Sequence, residues 1–122
     1  YYVGRKDHPI SEAENVIFNS NNEVEKIGKI NTGNQEVHGE FIGMIKLSNR
    51  GTEIFKEHFH RLKKIYWNKP FQRAKIFQKA YLTDFIQERV NSKINVTPIF
   101  ISGKWCEIDT HQDLERAQKM FV

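Results

Sequence analysis

Residues 94–110 constrain the fold of this chain more than any other stretch. An apolar run over 94–101 is followed by the turn-forming Ser102-Gly103-Lys104, by a short extended run through Trp105-Cys106-Glu107-Ile108-Asp109, and by a helix start at Thr110. An order of strand, turn, strand and helix belongs to a sheet with helices packed on it. On an extended segment Glu107 and Asp109 are two residues apart, so both carboxylates emerge on one face while Ile108 points the other way. Neighbouring carboxylates repel, and a site that keeps both ionised usually holds a cation. Oxygen ligands of this kind suit magnesium working with a phosphate substrate. The same run has a second account. Thr110 followed by Asp113 resembles a capping box with Asp in place of Glu or Gln, and acidic side chains favour a helix start.

The rest of the chain alternates in the same way. Residues 14–18 form a β-like run, 19–22 have turn chemistry, and 23–30 alternate well enough to return as the second strand of a hairpin. Residues 38–47 are apolar but broken by Gly39 and Gly43, which predicts close approach by a ligand or another backbone. Ser48 is an N-cap for a helix to about Tyr66, with Ile54, Phe55, Phe59, Leu62 and Ile65 at helical spacing. Asn68-Lys69-Pro70 ends that pattern, and a second helix is expected over 77–90. The last helix, from Thr110 to about Phe121, is expected to bury Leu114, Ala117 and Phe121.

Composition narrows the function classes. The 122 residues suffice for one small domain, 39% are hydrophobic, and the net charge is +4, which fits an α/β protein and does not imply nucleic acid. Arg61, Lys63, Lys64, Lys69, Arg73, Lys75 and Lys79 could form a basic helical face, although interspersed charge of this kind is more often a solvated surface. Nucleic-acid binding through that face is the weakest of the readings. The single cysteine, Cys106, excludes an internal disulfide and a multi-thiolate zinc site and fits a reducing cytoplasm. A thiol beside two carboxylates has its thiolate disfavoured, so Cys106 reads as a packing residue rather than a nucleophile. His8, His38, His58, His60 and His111 include no helical pair four apart, which speaks against zinc. No run reaches membrane-spanning length, and no phosphate-binding glycine loop or dinucleotide fingerprint is present. The chain opens on Tyr1-Tyr2-Val3 without a methionine and reads as an entry into the middle of a longer polypeptide.

Several of these residues together resemble one family. They are His38-Gly39-Glu40-Phe41-Ile42-Gly43, then Leu82-Thr83-Asp84, then Trp105-Cys106-Glu107-Ile108-Asp109-Thr110 leading into Asp113-Leu114-Glu115-Arg116-Ala117. Asp7-His8-Pro9-Ile10-Ser11-Glu12-Ala13-Glu14 and Ile27-Gly28-Lys29 also fit, so the resemblance covers nearly the whole chain. It is to the C-terminal half of nucleotidyltransferases of the sugar-nucleotidyltransferase type. Within these the pattern is most like the phosphocholine cytidylyltransferases and the 2-aminoethylphosphonate cytidylyltransferases, the latter often fused to phosphoenolpyruvate mutase. The family's N-terminal half, with the glycine-rich loop for the nucleoside triphosphate and the first metal-binding aspartate, has no counterpart in this sequence.

The resemblance implies a fold, a reaction and roles. The fold is α/β, the C-terminal portion of a mixed-sheet domain with helices on the sheet, spanning 1–122 as an incomplete domain that is inactive alone. Such a portion would leave a sheet edge and an apolar face to be hidden by homodimerisation or by another chain. The reaction moves CMP, or another NMP, from the triphosphate to a small phosphorylated or phosphonylated amine or alcohol and releases pyrophosphate, with magnesium as cofactor. Asp109 matches the second metal-binding aspartate, with Glu107 beside it as a ligand or outer-shell partner. Lys29 matches a lysine expected near the acceptor's phosphoryl group. Glu40 could face the acceptor's cationic head, and Trp105 could wall it by a cation–π contact; Tyr66, Trp67 and Tyr81 are further aromatics available to it. From a different class, the chain could be a non-catalytic interaction or regulatory module that keeps the fold without the nucleotide-binding half.

Overall fold

A computed structural model describes residues 13–30, 36–101 and 104–121. Residues 7–12 of the opening block and Ser102 and Gly103 of the expected turn lie outside them. The hairpin forms as its turn chemistry requires. Strand β1 (Asn15–Phe18) pairs antiparallel with β2 (Val24–Gly28), Val16 opposite Ile27, with a bulge between Ile17 and Phe18. Asn19 builds the turn: its side-chain oxygen accepts from the N–H groups of Asn21 at 2.9 Å and Glu23 at 3.0 Å. Asn22 takes the left-handed conformation (φ 61°) that asparagine tolerates. On the other side of β1 the two-residue β3 (Gly39–Glu40) completes a three-stranded antiparallel sheet in the order β2-β1-β3.

Helix α1 (Asn49–Tyr66) starts where expected, the Ser48 hydroxyl accepting from the Gly51 N–H at 3.0 Å. It stops at Trp67 and at Asn68, whose φ of 59° ends the helical run before Pro70. The helix expected over 77–90 is divided. Phe77–Lys79 form a short 3-10 turn, Ala80 is extended, and α2 (Leu82–Asn91) begins afresh. The restart is made by Asp84, whose Oδ2 accepts from the Tyr81 N–H at 2.8 Å.

α2 joins the two apolar clusters. Ile86 packs with Val16, Val24 and Ile27 under the sheet, while its neighbour Phe85 packs with Leu62, Phe71 and Phe77 beneath α1. Its Gln87 also serves the open edge of β2. The side-chain oxygen accepts from the Ile27 N–H at 2.8 Å and the side-chain nitrogen donates to the Glu25 carbonyl at 3.2 Å, so one amide stands in for a neighbouring strand. Gln87→Ala is expected to cost about 1–2 kcal/mol and to speed hydrogen exchange at Ile27 more than at Val16. Equal acceleration at both amides would show that Gln87 does not cover the edge.

Three expectations are corrected. Residues 94–101 are not a strand: their bond to the sheet is the Val24 N–H to the Val96 carbonyl at 2.8 Å, and Ile99 and Phe100 are 72% and 63% exposed. A strand requires a ladder partner, and Gln87 already occupies the neighbouring edge. Residues 105–108 are irregular as well, so strand geometry does not set the directions of Glu107 and Asp109. In α3 (His111–Met120) Ala117 is buried, but Leu114 and Phe121 are exposed because no layer covers that side among the described residues. At Gly39 and Gly43 a Cβ would meet nothing within 4 Å among the described residues, so no backbone there crowds either one, and Gly43 has a φ of +79°.

Candidate functional site

Lys29 follows the end of β2, and its ammonium lies 5.7 Å from the centre of the Tyr81 ring. The backbone places a second cation at this corner. Phe71 and Ala74 close a tight turn on each other, with bonds of 3.0 and 2.9 Å and Gln72 in the left-handed region (φ 49°), which sends Arg73 towards β2. There its guanidinium fills the place where a Cβ of Gly28 would stand, and Gly28 itself has φ +119°. Arg73 Nε donates to Asp84 Oδ1 at 2.7 Å and Nη2 donates to Thr83 Oγ1 at 3.1 Å. Asp84 is 1% exposed, so its charge is met by Arg73 and by the Tyr81 N–H. Lys29, Arg73 and Tyr81 therefore share one corner, where β2 ends and α2 begins. Sequence reading placed Arg73 among solvated basic residues. The available signals were Gly28 and Asp84, neither informative without the other.

Glu40, half-buried on β3, lines an apolar cleft of about 670 Å³ between the sheet, α1, α2 and residues 94–99. Lys29, Trp105, Glu107 and Asp109 are not among the residues lining it. Trp105 and Cys106 are half-buried, whereas Glu107 and Asp109 are exposed.

The capping account of the acidic run holds, and it involves a different carboxylate. Asp113, 1% exposed, accepts at one oxygen from the N–H of Thr110 at 3.1 Å, the Thr110 hydroxyl at 2.8 Å and the N–H of Asp109 at 3.3 Å. The Asp113 N–H in turn donates to Thr110 Oγ1 at 3.2 Å. The cap thus uses the side chains of Thr110 and Asp113 and the backbone of Asp109. Among the described residues no three His, Cys, Asp or Glu side chains gather to hold a metal. Magnesium is often held by one or two carboxylates together with water and substrate phosphate, and Glu107 and Asp109 have the chemistry for that share.

A buried histidine lies under α1. His58 is 6% exposed, packs edge-on against Phe85 with ring centres 5.5 Å apart, and has Arg61 Nη2 3.0 Å from its Nδ1. A guanidinium only donates, so Nδ1 accepts and the ring proton sits on Nε2. Burial, and then the Arg89 and Arg61 charges, hold the His58 pKa below 6.5 against the opposing pull of Glu88. In the unfolded chain the ring protonates near its ordinary value while the folded ring stays neutral. Its contribution to stability is therefore complete above about pH 6.5 and declines as pH falls from there towards the folded pKa. Urea unfolding at about pH 7.5 and about pH 5.5 checks this, with His58→Leu expected to reduce the difference. An unchanged difference would place the titration elsewhere.

No family model and no solved structure matches the chain. No helix among the described residues is long and apolar enough to cross a membrane. A CTP:phosphoglutamine cytidylyltransferase of Campylobacter jejuni is 28% identical over 110 residues, covering 88% of this chain and 41% of that protein. The chain therefore spans about two fifths of the length of the curated relative it matches. The mixed α/β architecture, with its three-stranded sheet and three α-helices among the described residues, is compatible with part of a nucleotidyltransferase-like domain. The likeness supports a cytidylyltransferase or, more broadly, a nucleotidyltransferase relationship.

Proposed function

We propose that this chain is the acceptor- and metal-binding C-terminal part of a nucleotidyltransferase. The reaction transfers CMP, or another NMP, from the triphosphate to a small phosphorylated or phosphonylated amine or alcohol such as 2-aminoethylphosphonate or phosphocholine. The observation that carries this reading is the likeness to the cytidylyltransferase over nearly all of the chain. That relative's name adds phosphoglutamine to the acceptors to be tried.

In this reading an oxygen of the acceptor's phosphoryl or phosphonyl group attacks the α-phosphorus of the triphosphate. The bond to the bridging oxygen breaks, and pyrophosphate leaves with its electrons. Lys29, held beside Tyr81 at the end of β2, positions the acceptor anion by charge. Glu40 and Trp105 favour an acceptor with a cationic head. Glu107 and Asp109 would hold magnesium, which when bound neutralises charge on the phosphates.

Pyrophosphate release by the native gene product with CTP, magnesium and a panel of acceptors tests the reading. Lys29→Ala is expected to raise the acceptor KM by about tenfold or more while leaving the KM for CTP within about twofold. An equal rise in both constants would remove Lys29 from the acceptor site.

A further inference from the structure

The positive charge of this chain is concentrated in one stretch. Residues 58–83 contain Arg61, Lys63, Lys64, Lys69, Arg73, Lys75 and Lys79 and no Asp or Glu, whereas the whole chain has 19 basic and 15 acidic residues. The remainder therefore carries more acidic than basic side chains. The two arginines are engaged, Arg73 with Asp84 and Arg61 with His58. The five lysines are exposed, and among the described residues none of them forms an ion pair. The fold gathers them at one end. Lys63 and Lys64 share a face of α1 with Trp67, and the Lys63 ammonium stands 5.1 Å from the centre of the Trp67 ring. Beyond the helix the Asn68 N–H donates to Gln78 Oε1 at 3.2 Å, the Gln78 amide donates to Asn68 Oδ1 at 2.5 Å, and the Phe77 N–H donates to the Lys69 carbonyl at 2.9 Å. These bonds hold the backbone of Lys69 and Lys79 beside the helix end. Trp67 remains 48% exposed and Ile76 36%. The helix dipole favours lysines in the last turn, which accounts for Lys63 and Lys64 but not for Lys69, Lys75 and Lys79 in the connection that follows.

We propose that the C-terminal end of α1 and the connection over 67–79 form a docking surface for an anionic lipid membrane, on which the protein rests without crossing it. Charge complementarity requires an anionic partner, and the side chains select which one. Lysine is depleted at protein–protein interfaces, so a basic surface made of lysines is a poor fit to an acidic protein. Close recognition of nucleic-acid phosphates favours the arginine fork, and both arginines of this stretch are already engaged. Lysines are compact, hydrated charges that act across water on a charged surface, and each one near an anionic leaflet strengthens binding by about fivefold. Tryptophan settles at the boundary between water and acyl chains, where Trp67 would lie with Ile76 among these lysines. The surface uses none of Lys29, Glu40, Trp105, Glu107 and Asp109, so it stands independently of the proposed reaction.

Co-sedimentation of the native gene product with vesicles tests the surface, comparing equal parts of phosphatidylglycerol and phosphatidylcholine with phosphatidylcholine alone. Binding is expected only to the anionic vesicles and is expected to be lost as salt rises from about 0.1 M to about 1 M. Replacing Lys63, Lys64, Lys69 and Lys79 together by Gln is expected to weaken it by about a hundredfold or more, and Lys64→Gln alone by about fivefold. All four side chains are exposed, and far-ultraviolet circular dichroism checks that the variants keep the parent's fold. Tryptophan emission should shift to shorter wavelength on the anionic vesicles in the parent but not in Trp67→Phe. Equal binding to both kinds of vesicle, or binding that survives the fourfold substitution, would overturn the proposal. So would an emission shift that persists in Trp67→Phe, or salt-dependent binding to a single-stranded oligonucleotide with none to the anionic vesicles, which would identify nucleic acid as the partner.

Discussion

Asp84→Ala is expected to destabilise the fold by about 2–4 kcal/mol, enough to lower the thermal midpoint by roughly 10 °C. The carboxylate is 1% exposed and satisfies two groups at once, Arg73 at 2.7 Å and the Tyr81 N–H at 2.8 Å. Its removal leaves a guanidinium without its anion and α2 without its cap. The loss should fall below that of a fully enclosed ion pair, because the Arg73 side chain keeps 32% of its exposure. Arg73→Ala should cost more than Asp84→Ala, since it leaves the better-buried partner uncompensated. Asp84→Asn keeps an acceptor for Tyr81 and should fall between the parent and the alanine variant.

Gly28 belongs to the same unit. A methyl group there would overlap the Arg73 guanidinium, and the φ of +119° is one that L side chains rarely adopt. Gly28→Ala should therefore displace Arg73 from Asp84. Combined with Arg73→Ala it should cost less than the sum of the two single losses. Additive losses in urea unfolding would mean that Gly28 and Arg73 act separately.

How much of this was legible in the sequence followed from how local each cause is. The Ser48 cap, the Asn19 turn and the Thr110 cap are made within a few residues of themselves, and each was readable. The division of 77–91 was not, because a helical pattern continues across Ala80 while the restart is set by Asp84. Arg73 was missed for a related reason. A basic residue in a basic run looks solvated until the fold places a glycine beneath it and a buried carboxylate beside it. Residues 94–101 show the converse. Their composition is that of a strand, but a ladder needs a second backbone, and one bond to Val24 does not supply it.

The acidic run divides between these cases. Asp113, which sequence reading treated as part of a helix start, is the buried carboxylate, and Glu107 and Asp109 lie exposed before it. Because the cap uses the Asp109 backbone and the Asp113 side chain, Asp109→Asn should leave α3 intact, with a stability change within about 0.5 kcal/mol. Its effect on turnover should be much larger. If Asp109 shares magnesium with the triphosphate, losing its charge should lower kcat by about 10²–10³.

The central claim is nucleotidyl transfer, and its most direct measurement is pyrophosphate release by the native gene product with CTP, magnesium and the acceptor panel, parent against Asp109→Asn. The account predicts release that depends on one of the phosphorylated or phosphonylated acceptors and falls by about a hundredfold or more in the variant at unchanged stability. No acceptor-dependent release from the parent, or full turnover in Asp109→Asn, would contradict it.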